Sequence, residues 1–308
     1  MPSSIEVVAP PGKLYNVGFD LHLCSEGIQG SAVTVLIEAG NGLCAAAYSR
    51  LRSALAPHVR VISYDRAGLG WSGDSGDVPD AAHVCCHLRR LLHAACVPLP
   101  LVIVAHSIGG LFARVFAGRF PTEVAGIVFL DSIHVQTDEY FNGNERIDWI
   151  CGIYRAARAC VKAGRLPESD FEFIQTFADV PAVQAQLRHS AMQVRRYDVA
   201  LATTLASRAS QEQAASFGSL GNLPLVAVTA PVVSDDRKHG NIDWSRFRAV
   251  KASLDEQLAS LSTRGRHVVI AGAEHGTLIY EAKFVEQLTE EILALTKQDS
   301  SGQSQQTR

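Results

Sequence analysis

The stretch VAHSIGG, residues 104–110, decides the fold because it sets a serine between an apolar run and two glycines. The apolar residues 101–104 are typical of a strand that is buried on both faces of a sheet. Gly109 and Gly110 allow a following helix to pack close to that strand. Such a strand-to-helix turn projects Ser107 toward a base that can remove its proton. A serine that merely caps the helix is the alternative.

Strands and helices alternate on both sides of this turn. Loose apolar alternation at 13–23 and apolar runs predict strands, and apolar residues at helical spacing predict helices between them. The strands are expected at 33–37, 59–64, 99–104, 124–130, 225–229 and 267–271, and the helices at 45–56, 79–96, 243–262 and 281–297. This order predicts an α/β fold with a doubly wound, mostly parallel sheet. A ligand site is expected beyond the carboxyl ends of its strands.

The alternation stops at 135–220, where helical segments carry aromatic residues and no strand is evident. We interpret this segment as an inserted helical cap, so that 1–134 and 221–296 together form the core. The polar residues 297–308 are predicted to be a disordered tail.

Composition excludes several classes of function. The chain of 308 residues is 47% hydrophobic and 19% charged, with a net charge of −3, so binding to nucleic acid or anionic lipid is not expected. No run approaches the roughly 18 apolar residues of a membrane span, and no basic and apolar leader begins the chain. We therefore expect a cytoplasmic protein, compatible with a monomer or a homodimer. The seven cysteines form no C-x-x-C pair, and most of them are expected to be small buried hydrophobes.

A serine nucleophile needs a base, and His275 is the candidate. It follows the last predicted strand in the small-residue loop GAEHG at 272–276, whereas the other ten histidines lack that position. His106, beside the serine, is expected to serve packing.

The acid that orients the histidine is less determined by the sequence. Asp131 ends the strand that comes after the helix following Ser107, and we favour it as the acid. Asp235 and Asp236 lie a few residues beyond the next strand and are the alternatives. Glu38 is a third candidate if it faces His275.

Backbone N–H groups are expected to stabilise the oxyanion in this architecture. The candidates are those of Ile108, directly after the serine, and Asn41, in the glycine-rich turn at 39–42. The alternative is that this turn only connects a strand to a helix.

Five segments in order resemble the α/β-hydrolase superfamily, and more narrowly its capped, esterase-like serine hydrolases. They are IEAGNG at 37–42, YDRAGLGWSG at 64–73, AHSIGG at 105–110, FLDSIH at 129–134 and RHVVIAGAEH at 266–275. The resemblance implies the fold, the helical cap and serine-dependent hydrolysis, but no substrate. Ala105 departs from the usual first glycine of the serine motif, and Ala39-Gly40 replaces the usual His-Gly. We also expect a buried ion pair between Glu38 and Arg66.

The expected reaction is hydrolysis of an ester, thioester or lactone of a hydrophobic small molecule. Carbon–carbon bond hydrolysis, lyase or cyclase chemistry with the same residues is the alternative, as is a non-catalytic ligand-binding receptor. Epoxide hydrolase and haloalkane dehalogenase chemistry is disfavoured, because both need a carboxylate where Ser107 stands. No metal is expected, and no nucleotide cofactor either, since residues 65–70 lack the G-x-G-x-x-G pattern.

Overall fold

One eight-stranded sheet forms the centre of the computed structural model, which describes residues 8–141, 144–232 and 244–298. The strands are β1 (Lys13–Asn16), β2 (Asp20–Glu26), β3 (Thr34–Glu38), β4 (Arg60–Tyr64), β5 (Leu101–His106), β6 (Val124–Leu130), β7 (Leu225–Thr229) and β8 (Gly265–Val269). Their order across the sheet is β1-β2-β4-β3-β5-β6-β7-β8. The β1–β2 and β2–β4 pairs are antiparallel, and the other pairs are parallel. The predicted doubly wound, mostly parallel sheet is confirmed.

Helices connect the parallel strands and cover both faces of the sheet. They are α1 (Ser49–Leu55), α2 (Ala81–Ala94), α3 (Gly109–Arg119), α4 (Glu145–Lys162), α5 (Glu168–Gln175), α6 (Pro181–Ala191), α7 (Val194–Leu205), α8 (Ser207–Ala215), α9 (Trp244–Ala259) and α10 (Ala282–Gln298). Short 3-10 helices lie at Ala45–Tyr48, Pro121–Glu123, Thr137–Tyr140 and Thr277–Ile279. The helix predicted at 45–56 is thus a 3-10 turn that continues into α1.

The central strands β3, β5, β6 and β7 are buried along their whole length. One apolar cluster packs α1 and α10 against one face of the sheet, and a second packs α2 and α3 against the other. Fully burying one Leu, Val or Ile side chain stabilises the fold by about 1.5–3 kcal/mol. Burial on both faces explains why these strands are continuous apolar runs rather than alternating ones.

Five helices, α4 to α8, lie between β6 and β7, where the sequence predicts the cap. The described part of 135–220 contains no strand, and α4 packs on α7 through Ala157, Val161 and Tyr197. The helix α10 runs to Gln298, so two residues of the predicted tail are helical, and 299–308 lie outside the described residues. None of the described helices is long and apolar enough to cross a membrane.

Candidate active site

Ser107 occupies the sharp turn between β5 and α3. Its φ of 57° lies in the left-handed region, which a residue with a side chain adopts only when its surroundings hold it there. The Ser107 N–H donates to the Leu130 carbonyl at 3.1 Å, and the Ser107 carbonyl accepts from Ile133 at 3.0 Å. These hydrogen bonds fix the serine at the carboxyl end of the sheet, as the sequence predicts.

The two glycines after the serine let α3 approach its neighbours. A Cβ atom on Gly109 would lie 2.7 Å from the Glu38 carbonyl oxygen, and one on Gly110 would lie 2.5 Å from the Ser132 side chain. The first position of the motif is less demanding, since Ala105 lies within β5 and is not among the residues with a positive φ. The departure from glycine there therefore leaves the turn intact.

The turn after β3 is held by Arg66, and the expected ion pair is confirmed. Arg66 Nη1 donates to Glu38 Oε1 at 2.9 Å and to the Ala39 carbonyl at 2.6 Å, while Nη2 donates to the Gly40 carbonyl at 2.6 Å. Both charged side chains are buried. Because C=O and N–H point in opposite directions across a trans peptide, fixing the Gly40 carbonyl also fixes the direction of the Asn41 N–H.

The two predicted oxyanion donors, Asn41 and Ile108, border one cavity together with Ser107. Among the described residues, no hydrogen bond occupies either backbone N–H. The Asn41 side chain donates to the Ala200 carbonyl at 3.1 Å and to Thr204 Oγ1 at 2.9 Å, which ties this turn to α7. Neither N–H is therefore committed to another acceptor within the described part of the chain.

His275 lies in the loop after β8, and its ring contacts Asp131. The distance from His275 Nδ1 to Asp131 Oδ2 is 2.6 Å. An ionised carboxylate only accepts hydrogen bonds, so the His275 Nδ1 that contacts it carries the proton. In the neutral ring, Nε2 is then the unprotonated, basic nitrogen. No hydrogen bond joins Ser107 to His275 within the described contacts, but both side chains border the same cavity. Hydrogen bonds of this kind are often long in an empty site.

The structure describes Asp131 and Glu38, two of the candidate acids that the sequence left open. Asp131 is the carboxylate on His275, whereas Asp235 and Asp236 lie outside the described residues. Glu38 does not face His275, because its carboxylate accepts from Tyr64 and Arg66 instead.

A lysine that no sequence motif indicates lies behind Asp131, with 11% of its side chain exposed. Lys251 Nζ is 3.2 Å from Asp131 Oδ1 and 2.5 Å from Asp255 Oδ2. Burial alone would raise the pKa of Asp131, but the charge of Lys251 and the hydrogen bond from His275 hold that pKa well below its usual range. Burial likewise disfavours the lysine cation, yet the two aspartates raise the pKa of Lys251. Asp131 is therefore held as an anion.

His106 does more than pack against its neighbours, which corrects the expectation from the sequence. Its Nδ1 accepts from the Tyr48 hydroxyl at 2.8 Å, and its Nε2 donates to the His275 carbonyl at 3.1 Å. The Tyr48 hydroxyl in turn accepts from the Gly40 N–H at 2.8 Å. Burial, followed by the charge of the nearby His275, lowers the pKa of His106 to about 3, so the ring is neutral. This chain of hydrogen bonds connects the turn after β3 to the loop after β8.

The cavity has a volume of about 420 Å³ and lies between the sheet and the helices α4 to α8. Its sheet side carries the polar groups described above. Its other walls are mainly aromatic and aliphatic, and the larger side chains are Trp149, Ile150, Ile153, Tyr154, Phe173 and Phe247. Away from the sheet, the cavity therefore offers mainly apolar surface to a ligand.

Two curated relatives match only part of this chain. An uncharacterised protein of Schizosaccharomyces pombe is 46% identical over 83 residues, which are 27% of this chain and 16% of that protein. A protein of Gibberella zeae described as an AB hydrolase superfamily protein is 32% identical over 108 residues, 34% of each chain. The chain thus covers well under half of these relatives.

Solved structures match over nearly the whole chain at low identity. A thermophilic esterase of Thermogutta terrifontis has a TM-score of 0.63 at 19% identity, covering 90% of this chain and 94% of its own. The enol-lactonase of Burkholderia xenovorans LB400 has a TM-score of 0.64 at 17% identity, covering 90% and 98%. The Cif epoxide hydrolase of Acinetobacter nosocomialis has a TM-score of 0.68 at 15% identity, covering 91% and 88%. At these identities the similarity describes the fold alone.

A family model matches far more of the chain than the curated relatives do, because it covers most of the sheet as well as the segment of α4 to α8. The model of the alpha/beta hydrolase family matches residues 35–287, which begin in β3 and end in α10. Both the extent of that match and the strand order of the sheet lead to one assignment: the chain belongs to the alpha/beta hydrolase family.

Proposed function

We propose that the protein is a serine hydrolase that cleaves an ester, thioester or lactone of a hydrophobic small molecule. The observation that carries the proposal is the 2.6 Å contact between His275 Nδ1 and Asp131 Oδ2, beside the cavity that Ser107 borders. In this proposal the three residues form a catalytic triad, and the helices α4 to α8 act as its cap.

In the first half of the reaction, His275 Nε2 takes the proton of Ser107 as the hydroxyl oxygen attacks the substrate carbonyl. The negative charge of Asp131 stabilises the imidazolium that forms, and it keeps the ring in the tautomer that leaves Nε2 basic. The N–H groups of Asn41 and Ile108 donate to the oxyanion of the tetrahedral intermediate. His275 then protonates the leaving oxygen or sulfur, and an acyl-serine remains.

In the second half, His275 removes a proton from water, and the resulting hydroxide attacks the acyl-serine. The same N–H groups hold the second oxyanion, and the proton returns to Ser107 as the acid product leaves.

The apolar walls of the cavity support a hydrophobic small-molecule substrate. The esterase and the enol-lactonase named above share the fold, which is consistent with hydrolysis of an open-chain or cyclic ester. The shared fold of the Cif epoxide hydrolase does not imply epoxide hydrolysis here, because that reaction needs a carboxylate at the position of Ser107.

Covalent labelling with a fluorophosphonate tests the nucleophile directly. We expect wild-type protein to be labelled at Ser107 and Ser107→Ala to remain unlabelled, with kcat for p-nitrophenyl esters reduced by about 10⁴-fold or more. Ser132→Ala is the matched control, because Ser132 lies on the neighbouring strand end and donates to the Ala105 carbonyl. Equal labelling of wild type and Ser107→Ala would contradict the proposal.

A panel of p-nitrophenyl esters of increasing chain length, thioesters and lactones then tests the bond type. Labelled protein that hydrolyses none of them would replace the ester proposal with carbon–carbon bond cleavage, lyase or cyclase chemistry. Protein that is neither labelled nor active would point to a ligand-binding role.

A further inference from the structure

An arginine with an unused donor borders the cavity on its helical side. Arg146, the second residue of α4, is 6% exposed, and its Nε donates to Asp138. Its Nη2 is buried and has no hydrogen-bond partner among the described residues. A buried guanidinium donor without a partner is costly, because it has lost its water and gained nothing in exchange. A ligand in the cavity can supply the missing acceptor.

A second unused polar atom lies on the same side of the cavity. Ser207, the first residue of α8, is 2% exposed and borders the cavity, and its Oγ is buried without a partner among the described residues. The next residue, Arg208, donates to Asn144 just before α4 at 3.4 Å. This side-chain contact joins the beginnings of α8 and α4, and Arg146 and Ser207 each bring one unsatisfied donor to the cavity that both border.

The other charged residues that border the cavity already have ion-pair partners. Lys251 is paired with Asp131 and Asp255, and Asp131 also contacts His275. Asn41 Oδ1 is a third buried atom without a partner, but it is an acceptor and belongs to the turn after β3. Arg146 is therefore the cation in the described cavity wall that retains donor capacity. Asp138 occupies only its Nε and orients the planar group.

Apart from Arg146, the face of α4 that borders the cavity is mainly apolar. Trp149, Ile150 and Ile153 also border the cavity, and with Arg146 they follow the i, i+3, i+4, i+7 spacing of one helix face. One face of α4 therefore presents a guanidinium at one end and an apolar stripe along the remainder. That pattern suits a substrate with an apolar body and a single acidic group.

We propose that Arg146 Nη2 and Ser207 Oγ bind a carboxylate of the substrate, remote from the scissile carbonyl. This inference rests on the proposed function, and it narrows the substrate to esters, thioesters or lactones that carry a free carboxylate on an apolar chain. A guanidinium donates to a carboxylate through short, charge-assisted hydrogen bonds, and a hydroxyl donor beside it adds a second contact.

Three chain-matched substrates test the proposal: the mono-p-nitrophenyl ester of adipic acid, its ω-carboxamide and its ω-methyl ester. We expect wild-type kcat/KM for the free acid to exceed that for the carboxamide by about tenfold or more. In Arg146→Gln the ratio falls to about one. Arg146→Lys gives an intermediate ratio, because lysine keeps the positive charge but lacks the planar guanidinium that donates two parallel hydrogen bonds. Ser207→Ala lowers the ratio by a smaller factor.

Arg158→Gln is the matched control. Arg158 also lies on α4 and its Nε also pairs with an aspartate, Asp198, but it does not border the cavity. This variant should keep the wild-type ratio. Each ratio compares kcat/KM for two substrates on the same protein, so a smaller folded fraction affects both values equally. If Arg146→Gln fails to fold, Arg146→Lys and Ser207→Ala provide the test.

A wild-type ratio near one, or a ratio that Arg146→Gln leaves unchanged, would overturn the carboxylate site. Equal rates for acid and carboxamide, both above the methyl ester, would also overturn it, because they indicate a site for a neutral acceptor. If Ser107 is labelled while the ratio is near one, this inference fails and the proposed function stands. If no labelling or turnover occurs, the proposed function fails, and the site is tested by whether adipate raises the Tm of wild type but not of Arg146→Gln.

Discussion

The two sides of the cavity are built on different principles. On the sheet side, Ser107, Asp131 and His275 follow β5, β6 and β8, and the hydrogen bonds around them fix individual atoms. On the helical side, α4 contributes mostly apolar area, and its polar atoms are partly unused. Proton transfer depends on the positions of individual atoms, whereas binding an apolar chain depends on area and volume. Substitutions on the two sides should therefore change different kinetic constants.

The largest effect is expected on the sheet side, from Asp131→Asn. The amide would keep the shape of the carboxylate but remove its charge and favour the wrong histidine tautomer. We expect kcat to fall by about 10⁴-fold, with little change in KM, measured with a p-nitrophenyl ester that the wild type accepts.

The aspartates outside the described residues provide the comparison for that variant. Asp235→Asn and Asp236→Asn should both retain kcat close to that of the wild type. Wild-type turnover in Asp131→Asn, with a collapse in one of the other two, would assign the acid to the loop after β7 and remove the proposed role of Asp131.

A smaller effect of a different kind is expected on the helical side, from Ile150→Ala. Removing three carbons from the apolar wall should lower kcat/KM for long-chain esters by about tenfold and affect short-chain esters less. The change should appear mainly in KM across a chain-length series. Arg155→Ala, on an exposed position of the same helix, is the control. An equal loss for all chain lengths would mean that the helical side does not select the acyl chain.

The smallest expected effect concerns the dependence of stability on pH. The pKa of His106 is about 3 in the folded protein and about 6.5 in an unfolded chain, so between these values only the unfolded state takes up the proton. The free energy of unfolding should therefore decrease as pH falls through this window, with about 1 kcal/mol per pH unit due to His106 between pH 6 and pH 5.

Urea unfolding of His106→Gln checks this contribution. Glutamine can still donate to the His275 carbonyl but does not titrate, so the variant should show a shallower loss of stability between pH 6 and pH 5. His134, whose pKa burial lowers to about 4, contributes equally to both proteins. Parallel curves for the two proteins would mean that His106 is not held neutral.

The sheet could be predicted because its strands depend on a local signal. A strand buried on both faces must be apolar at every position, and β5, β6 and β7 follow that rule over uninterrupted runs. The antiparallel hairpin of β1 and β2 was harder to delimit, since β1 is mostly exposed and its side chains are under less constraint.

The candidate site was predictable where position along the chain determines position in space. Ser107 and His275 each follow a recognisable strand, and parallel strands bring their carboxyl ends to one edge. The choice between Asp131 and the later aspartates depends on which carboxylate reaches the ring, and the sequence carries no signal for that distance.

Polar residues on helices were missed for a related reason. Lys251 and Asp255 have the i, i+4 spacing of an ordinary exposed ion pair, yet Asp255 is buried and Lys251 is only 11% exposed beside Asp131. Arg146 likewise begins a helix that also carries acidic residues in its first turn. Burial of such groups is decided by tertiary packing, which spacing along a helix does not reveal.

The hydrogen bond from His106 to the His275 carbonyl holds the proposed base by its backbone and leaves its ring free of that contact. The loop is anchored through its main chain, so the anchor keeps the same donor and acceptor whether the His275 ring is neutral or protonated. With a pKa of about 3, His106 would not compete for the proton that the proposed mechanism assigns to His275. In the proposed reaction, the His275 ring can therefore gain and lose its charge in each half-reaction while the backbone of its loop stays in place.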